Sequence, residues 1–349
     1  MSGTSVDGVD VALIETDGET VSSQGPATTV AYDEPLRRRI RDIFGSEKPS
    51  PEIEAVETAV TEVHIEAAKW WSRRSGIELS TLDVVGFHGQ TITHRPERRF
   101  TWQIGDGAAL AKALGVRVVN DLRQADVQAG GQGAPLVPIY HAALAHDLPR
   151  PLAVVNIGGV ANVTWIGPDK ELLAFDTGPG NAPIDDWCAR RAGLRFDTDG
   201  ALAASGTVDR GRVERFSEHR YFGQTPPKSL DRGDFNDEWA NGLSVADGAA
   251  TLTQGTARAI ALAARHFPAP VKQWVISGGG AHNPTLLHAI ARETRAKVVK
   301  AVDLGWDGDA IEAQAFAFLA VRSLRGLPLT FPGTTGVSRP LTGGTLNEP

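Results

Sequence analysis

The chain has 349 residues, of which 41% are hydrophobic and 22% are charged, and its formal net charge at pH 7 is −7. This length exceeds the size at which one hydrophobic core usually stops growing, which predicts two domains, and the negative charge disfavours nucleic acid as a partner. The one cysteine, Cys188, excludes an internal disulfide and a multi-cysteine zinc site.

The first third of the chain alternates strand and helix patterns. Val9, Val11 and Leu13 alternate with other residues, which predicts a strand that follows a small-residue turn. Apolar residues recur at steps of three or four within residues 52–74, which predicts an amphipathic helix. Residues 82–87 then predict a buried strand that ends in a polar stretch, HGQT.

A Gly- and Pro-rich passage at residues 128–135 divides the chain near its first third. After it, residues 152–159 predict a strand that runs into a turn, and alternation through Val163 and Trp165 predicts a second strand. This strand–turn–strand unit echoes the one at the start. We therefore predict a first lobe of residues 1–127 completed by 338–349, and a second lobe of residues 128–337.

Helical patterns dominate the last third, with one predicted strand at residues 274–277. Ser244 is a typical N-cap, and Asn283 before a proline predicts another helix start. Residues 309–312 fit a capping box, and the tail from Pro332 predicts a loop. The alternation of strands and helices along the chain indicates α/β architecture.

Several signatures of other classes are absent from the sequence. There is no G-x-x-x-x-G-K-[ST], no G-x-G-x-x-G between a strand and a helix, no H-E-x-x-H and no G-x-S-x-G. No apolar run approaches the roughly 20 residues that span a bilayer, and the start has no signal-peptide pattern. A cytoplasmic protein without a membrane partner is therefore expected, and any nucleotide must be held by another device.

Two small-residue turns are candidates for that device. Residues 2–8 (SGTSVDG) combine glycines that admit phosphate oxygens, hydroxyl groups that donate to them, and an acid, Asp7, that suits Mg²⁺. Residues 156–159 (NIGG) have the same character in the second predicted lobe. A solvent-facing hairpin turn is the alternative at each position. The pairing of the two turns favours phosphate binding.

Other polar groups lie at predicted strand ends. Asp176, in the motif FDTGPGN, is placed as a catalytic carboxylate or as a simple turn cap. Residues 278–280 (GGG) precede a helix and suit adenosine or ribose, although a tight connection explains them nearly as well. His88 and its neighbours suit sugar hydroxyls, but a structural histidine is the commoner outcome. Glu312 is a helix-capping acid by default.

Taken in order, the motifs resemble those of the anhydro-N-acetylmuramic acid kinase family. The matching strings run from Met1 to about Leu319: MSGTSVDGVD, GFHGQTITHRP, TWQIGDG, DVQAGGQGAPLVP, NIGGVANVT, FDTGPGN, FDTDGALAASG, VISGGGAHN and IEAQAFAFLA. The joint occurrence of SGTS-DG, HGQT, GGQGAPLVP and DTGPGN is specific, whereas each string alone is not.

The resemblance implies a two-lobed actin-like fold with mixed sheets flanked by helices, ATP with Mg²⁺ in the cleft, and a homodimer in the cytoplasm. It implies 1,6-anhydro-N-acetylmuramic acid, recovered from peptidoglycan, as the substrate. Water opens the anhydro bridge and O6 is phosphorylated, which yields N-acetylmuramic acid 6-phosphate. The leaving oxygen is trapped by phosphate, so a second carboxylic acid is not required to protonate it.

The resemblance also implies roles for individual residues. Asp176 is the expected base for the attacking water, and it also contacts the sugar. The expected ATP-binding residues are Ser2, Gly3, Thr4, Ser5, Val6, Asp7, Gly8, Val9, Asn156, Gly158, Gly159, Gly278, Gly279 and Gly280. The expected sugar-binding residues are Asp10, His88, Gln90, Thr91 and Arg123, and the expected metal-side acids are Asp7 and Glu312.

Two alternatives stay open at this point. One is a kinase for another 1,6-anhydro sugar such as levoglucosan, which the surroundings of His88, Gln90 and Arg123 would decide. The other is a catalytically silent binding regulator on the same scaffold. The joint presence of Asp7, Asp176 and Glu312 argues against it. The family pattern also has a strand before SGTS, which we expect to anchor the first turn and pair within the first lobe's sheet.

Overall fold

Contacts in the computed structural model, which describes residues 1–169 and 171–349, divide the chain into two units. Unit one is Met1–His146 with Asp309–Pro349, and unit two is Asp147–Gly308. The predicted second lobe spans residues 128–337, whereas residues 128–146 and 309–337 of it belong to unit one by their contacts. The physical reason is long-range packing, since the helix Ile311–Leu324 packs on the strand Gly8–Thr16.

Unit one combines short sheets with helices. Its strands are β1 (Gly8–Thr16), β2 (Val21–Ala31), β3 (Val85–Gly86), β4 (Gln90–Arg95), β5 (Phe100–Ile104), β6 (Val118–Asn120) and β12 (Thr345–Asn347). Its helices are α1 (Glu34–Asp42), α2 (Pro51–Ser75), α3 (Gly107–Leu114), α4 (Gln124–Gln128), α5 (Pro138–Leu144), α11 (Ile311–Leu324) and α12 (Pro332–Thr335). β1 pairs with β2, and β4 with β5, both antiparallel, while β6 pairs parallel with β3 and antiparallel with β12.

The long helix α2 shows how sequence signals set an element of unit one. Ser50 caps its start by accepting from the Ile53 N–H, and Gly76 ends it in the left-handed conformation. Val56 and Val60 are fully buried in a core shared with α1, β1 and β4. The helix predicted at residues 52–74 is thereby confirmed, with its ends one residue further out on each side.

β1 and β3 do not pair with each other, and residues of both line a cavity of about 810 Å³. Residues of α2, α3 and α11 also line it, and most of the lining is apolar. His64 of α2 borders the cavity, and its Nε2 atom has no hydrogen-bond partner among the described residues. The strand expected ahead of the first turn is not tested by the structure.

Unit two is built on a mixed sheet. Its strands are β7 (Leu152–Ile157), β8 (Val160–Ile166), β9 (Leu172–Pro179), β10 (Gln273–Ser277) and β11 (Lys297–Lys300). Its helices are α6 (Ala182–Ala192), α7 (Ala201–Ser205), α8 (Arg210–Ser217), α9 (Val245–Ala263) and α10 (Pro284–Thr294). The strand order is β11-β10-β7-β8-β9, in which β7, β8 and β9 are antiparallel neighbours and β10 and β11 run parallel to β7.

One face of this sheet forms the core of unit two. Val155, Val163 and Phe175 are buried on it and pack against α9 and α10. Because side chains alternate along a strand, the residues next to them in sequence face the other way. The mixed five-stranded sheet, with helices packed on it, confirms the predicted α/β class with mixed sheets flanked by helices. Among the described residues, no helix is both long and apolar enough to cross a membrane.

The predicted caps and the tail give mixed results. Ser244 and Asn283 cap α9 and α10 through their side chains, as predicted. The capping box at residues 309–312 is wrong, because Ala310 is the N-cap of α11 and makes no side-chain cap. The tail from Pro332 is not simply a loop, since it forms α12 and then β12. β11 was missed because its four residues carry too little pattern.

Candidate active site

The first candidate phosphate turn, residues 2–8, is closed by backbone hydrogen bonds. Met1 and Asp10 exchange N–H···O bonds of 2.8 Å, and the Val6 N–H donates to Gly3 O at 3.2 Å. Val6 adopts a φ of 55°, which is unfavourable for a β-branched residue. Its fully buried side chain holds this conformation in place. The packing of Val6 in the core of unit one therefore holds the turn in place.

Polar side chains of the same turn face solvent. Thr4, Ser5 and Asp7 are exposed. Ser5 Oγ donates to Asp7 Oδ1 at 2.7 Å, and the Asp7 carbonyl accepts from the Tyr32 N–H at 3.1 Å. The turn thus presents two hydroxyl groups beside a held carboxylate, a set that suits phosphate oxygens and a hydrated Mg²⁺ ion.

Buried polar contacts attach the turn to β4. Ser2 Oγ donates to Gln90 Oε1 at 2.6 Å, and Tyr32 OH donates to Ser2 Oγ at 3.1 Å. Gln90 Nε2 donates in turn to the carbonyls of Gly3, at 3.2 Å, and Thr91, at 3.1 Å. Because Gln90 is fully buried with both amide atoms engaged, its first role is to hold the turn. Its predicted contact with the sugar stays a prediction.

His88 is engaged at both ring nitrogens. Its Nδ1 lies 2.9 Å from Gly89 O and 3.2 Å from Ser2 O, so we assign the ring proton to Nδ1. Nε2 then accepts from Arg123 Nε at 3.1 Å, and Arg123 Nη1 donates to Gly133 O at 2.7 Å. Burial, followed by the nearby Arg123 charge, holds the pKa of His88 well below its usual range. A neutral His88 therefore orients the Arg123 guanidinium.

The charge of Glu312 interacts both with that of Asp10 and with that of Arg123. Burial raises the pKa of Asp10, while a 2.7 Å hydrogen bond from Thr29 Oγ1 opposes the rise and the charge of Asp7 adds to it. Glu312 is accessible to solvent in the first turn of α11, but the protein atoms around it desolvate its carboxyl and raise its pKa. Arg123 opposes that rise, and Asp10 adds to it. The arrangement places negative charge where a cation would relieve repulsion.

The fit of Mg²⁺ rests on the donor set. Among the described residues, no group of three or more His, Cys, Asp or Glu side chains is arranged to hold a metal ion by itself. Mg²⁺ in a nucleotide site needs only one or two carboxylates, because phosphate and water supply the other ligands. Asp7 and Glu312 are exposed carboxylates of the same unit, and each is of the type that can supply such a ligand.

In unit two, three polar residues form a row across the sheet. Asn156 of β7 is paired with Asn162 of β8, and Asn162 is paired with Asp176 of β9. Directly opposed residues of antiparallel strands share a face, so the three side chains lie on the face opposite the core. All three are half-buried. The row places the predicted catalytic acid beside Asn162, with Asn156 one strand further along the sheet.

Asp176 is held by an irregular segment that follows α8. The Asp176 N–H donates to Lys228 O at 3.1 Å, Tyr221 OH donates to Asp176 O at 2.6 Å, and the Leu230 N–H donates to Asp176 Oδ2 at 2.8 Å. Burial raises the pKa of Asp176 to about 6, the Leu230 N–H opposes the rise, and the charge of Asp231 adds to it. A carboxylate with this pKa is ionised at neutral pH and still basic enough to accept a proton.

The two glycine turns of unit two meet beside Asn156. Gly278 has a φ of +73°, and a Cβ there would lie 2.3 Å from Asn156 Oδ1. The carbonyls of Gly158 and Gly159 accept from the first amides of α6, including the Asn181 N–H at 2.7 Å. The helix start is therefore already capped by protein. Gly159 and Gly279 are the exposed glycines of the two turns, whereas Gly280 is buried.

Sequence reasoning missed several residues near Asp176. Asn162 was not identified as a candidate, although hairpin symmetry about residues 158–159 places it opposite Asn156. Tyr221 and Leu230 act across 45 and 54 residues of sequence, and no local pattern reports such contacts.

Comparison with known proteins gives consistent matches over the full length. Residues 1–348 match the family model described as anhydro-N-acetylmuramic acid kinase. A protein of that name from Rhodospirillum rubrum is 58% identical over 348 residues, covering 99% of this chain and 92% of the relative. Another from Paramagnetospirillum magneticum is 55% identical over 352 residues, covering 100% of this chain and 98% of the relative.

Solved structures show weaker similarity. The activator of the 2-hydroxyisocaproyl-CoA dehydratase from Clostridium difficile, with bound ADPNP, is 14% identical with a TM-score of 0.43 and covers 93% of this chain and 94% of its own. A ROK family glucokinase from Streptomyces griseus, in complex with glucose and AMPPNP, is 13% identical with a TM-score of 0.38, covering 88% of this chain and 95% of its own.

Proposed function

Because the chain belongs to the anhydro-N-acetylmuramic acid kinase family, we propose that it opens the 1,6-anhydro ring of anhydro-N-acetylmuramic acid and phosphorylates O6 at the expense of ATP. The product is N-acetylmuramic acid 6-phosphate, which places the enzyme in the recycling of peptidoglycan. The single observation that carries the catalytic assignment is the environment of Asp176. Its carboxyl is half-buried, has one oxygen fixed by the Leu230 N–H, and has a pKa of about 6.

The reaction balances with one carboxylate. Asp176 takes a proton from water as the water oxygen bonds to the anomeric carbon, and the bond from that carbon to O6 breaks. O6 takes the γ-phosphoryl group, and the bond from that group to ADP breaks. Since O6 leaves onto phosphorus, the site does not need the second carboxylic acid that ordinary glycoside hydrolysis uses. Asp176 releases its proton to solvent afterwards.

In unit one, we assign residues 2–9 to the phosphates of ATP. The exposed hydroxyls of this turn would donate to phosphate oxygens, and Asp7 with Glu312 would hold Mg²⁺. The ion, when bound, neutralises charge on the transferred phosphoryl group. In unit two, we assign Asn156, Gly158 and Gly159 to phosphate, and residues 278–280 to the nucleoside.

For the sugar, we assign Asp10, Thr91 and Arg123 in unit one and Asp176 in unit two. Arg123 is the sugar contact with the strongest geometric support, because His88 and a backbone carbonyl already fix its guanidinium. An oriented guanidinium suits a carboxylate such as that of the lactyl group. Levoglucosan lacks a carboxylate, which favours the muramic acid derivative as the substrate.

The homodimer and the cytoplasmic location rest on the family resemblance alone. Light scattering after size-exclusion chromatography tests the first, and fractionation of cells tests the second.

The experiment for the function compares two sugars and two variants. Wild type is assayed for ADP release with ATP, Mg²⁺ and either anhydro-N-acetylmuramic acid or levoglucosan. We expect turnover with the first sugar only, loss of at least about a hundredfold in kcat for Asp176→Asn, and partial retention for Asp176→Glu. Equal turnover of both sugars would contradict the substrate assignment. Full activity of Asp176→Asn would contradict the catalytic one.

A further inference from the structure

Residues 221–231 form three hydrogen bonds with Asp176 and do not belong to a strand of the sheet. They lie between α8 and α9 and have little regular structure. β9 is an edge strand of the sheet, so the outward N–H of Asp176 needs an acceptor that no strand provides. Lys228 O supplies it at 3.1 Å, and two residues later the Leu230 N–H reaches the carboxylate at 2.8 Å. We call residues 221–231 the clamp segment.

Two side chains hold the clamp segment on β9. Tyr221 OH donates to the Asp176 carbonyl at 2.6 Å. Lys228 Nζ donates to Tyr221 O at 3.0 Å and lies over the rings of Tyr221, at 4.5 Å, and Phe175, at 5.4 Å. The Leu230 side chain packs on an aromatic cluster that contains Tyr221. The hydrogen bonds of Tyr221 OH, Lys228 Nζ and Lys228 O fix where the Leu230 N–H points, without the help of the Leu230 side chain.

The two carboxylate oxygens of Asp176 lie in different environments. Oδ2 receives the Leu230 N–H, whereas Oδ1 receives no hydrogen bond from any described residue. A base must present one oxygen to its proton donor in a fixed direction. The geometry points to the clamp segment as the positioning element of the proposed base: the Leu230 N–H orients the Asp176 carboxylate, and Tyr221 holds that N–H in place. This inference rests on the proposed function of Asp176.

The groups around Asp176 determine whether loss of the Leu230 N–H raises or lowers the pKa of Asp176. The Leu230 N–H lowers its pKa, whereas burial and Asp231 raise it. The phenol of Tyr221 is neutral, because burial raises its own pKa. Lys228 and His266 lie against Phe175, and burial lowers the pKa of each. Removing the Leu230 N–H therefore raises the pKa of Asp176 further.

The test uses a matched pair at one position. Leu230→Pro removes the N–H, and Leu230→Ala keeps it while losing most of the side chain. We expect the acid limb of the kcat/KM profile to move up by about one pH unit in Leu230→Pro and to stay at the wild-type pH in Leu230→Ala. Equal acid limbs in the two variants would overturn the inference.

A second variant covers the case in which Leu230→Pro does not fold. Tyr221→Phe loses only the hydroxyl that ties the clamp segment to β9. We expect a smaller upward move of the acid limb and a lower kcat, with KM for the sugar within about twofold of wild type. An unchanged profile in Tyr221→Phe, or a change in KM alone, would overturn the positioning role.

A direct titration separates this inference from the proposed function. The pKa of Asp176 is followed by carboxyl-carbon NMR in the full-length protein, with Asp176→Asn used for assignment. If the wild type makes no product, the function fails, but the titration still decides the positioning. A higher Asp176 pKa in Leu230→Pro and Tyr221→Phe than in wild type and Leu230→Ala supports it, and one pKa shared by all four contradicts it.

Discussion

Replacing Asp176 with asparagine is expected to stabilise the fold while it abolishes the activity. Burial raises the pKa of this carboxyl from 3.8 to about 6, which means that the folded protein favours its protonated form. At about 1.4 kcal/mol for each pKa unit, the shift corresponds to about 3 kcal/mol as an upper bound. Partial exposure of the side chain reduces this figure, so about 1–3 kcal/mol is the expected range.

The pH dependence of that gain follows from linkage. A carboxyl whose folded-state pKa is raised contributes its full stability below pH 3.8, and loses that contribution as the pH rises to about 6. The introduced asparagine cannot ionise, and its side-chain oxygen still accepts from the Leu230 N–H. The variant and wild type therefore have similar stability near pH 4, and the variant is the more stable above pH 6.

The assay is urea unfolding of wild type and Asp176→Asn at several pH values between 4 and 8. Asp247→Asn is the matched control, because hydrogen bonds from the Thr207 N–H and Ser244 lower the pKa of Asp247 and its substitution destabilises unit two at neutral pH. A stability difference between wild type and Asp176→Asn that does not change with pH would refute the reasoning. So would a loss of stability at pH 8.

Three further predictions concern the ligand-binding turns. Asp7→Asn is expected to raise the calorimetric Kd for MgATP by about tenfold and to change the Kd for metal-free ATP little. Equal changes in the two Kd values would contradict a role of Asp7 in metal binding. Gly278→Ala places a Cβ within 2.3 Å of Asn156 Oδ1. We expect the free energy of unfolding to fall by about 1–3 kcal/mol and ATP binding to weaken, whereas wild-type stability would contradict the steric argument. Arg123→Lys loses the planar guanidinium that His88 orients. We therefore expect KM for the sugar to rise about tenfold while KM for ATP is unchanged. An unchanged KM for the sugar would contradict a contact between Arg123 and the sugar.

The elements that could be predicted are those whose signals are local. The long helix α2 carries its cap, its apolar spacing and its terminal glycine within its own residues, so its limits follow from the sequence to within a residue. Ser244 and Asn283 act within three residues of themselves, which is why both caps were identified. Asp309 matches the same kind of pattern but lies one residue before the N-cap, a shift that pattern alone does not resolve.

The features that could not be predicted depend on contacts between distant residues. The boundary between the units follows α11, which returns to pack on β1 nearly 300 residues away in sequence. Asp176 was identified from its motif, but its pKa depends on Leu230, which lies 54 residues further along the chain. The contact of His88 with Arg123 could not be predicted either, because only the fold brings Arg123 to the Nε2 atom of His88, and the proposed contact of His88 with sugar stays a prediction.

The most direct test of the account is turnover of 1,6-anhydro-N-acetylmuramic acid with ATP and Mg²⁺ in ¹⁸O-labelled water, followed by mass spectrometry of the sugar product. The account predicts N-acetylmuramic acid 6-phosphate with ¹⁸O at the anomeric position and none in the phosphate, and no such product from Asp176→Asn. A phosphorylated sugar that keeps its anhydro ring, or ¹⁸O found in the phosphate, would contradict coupled ring opening and phosphoryl transfer with Asp176 as the base.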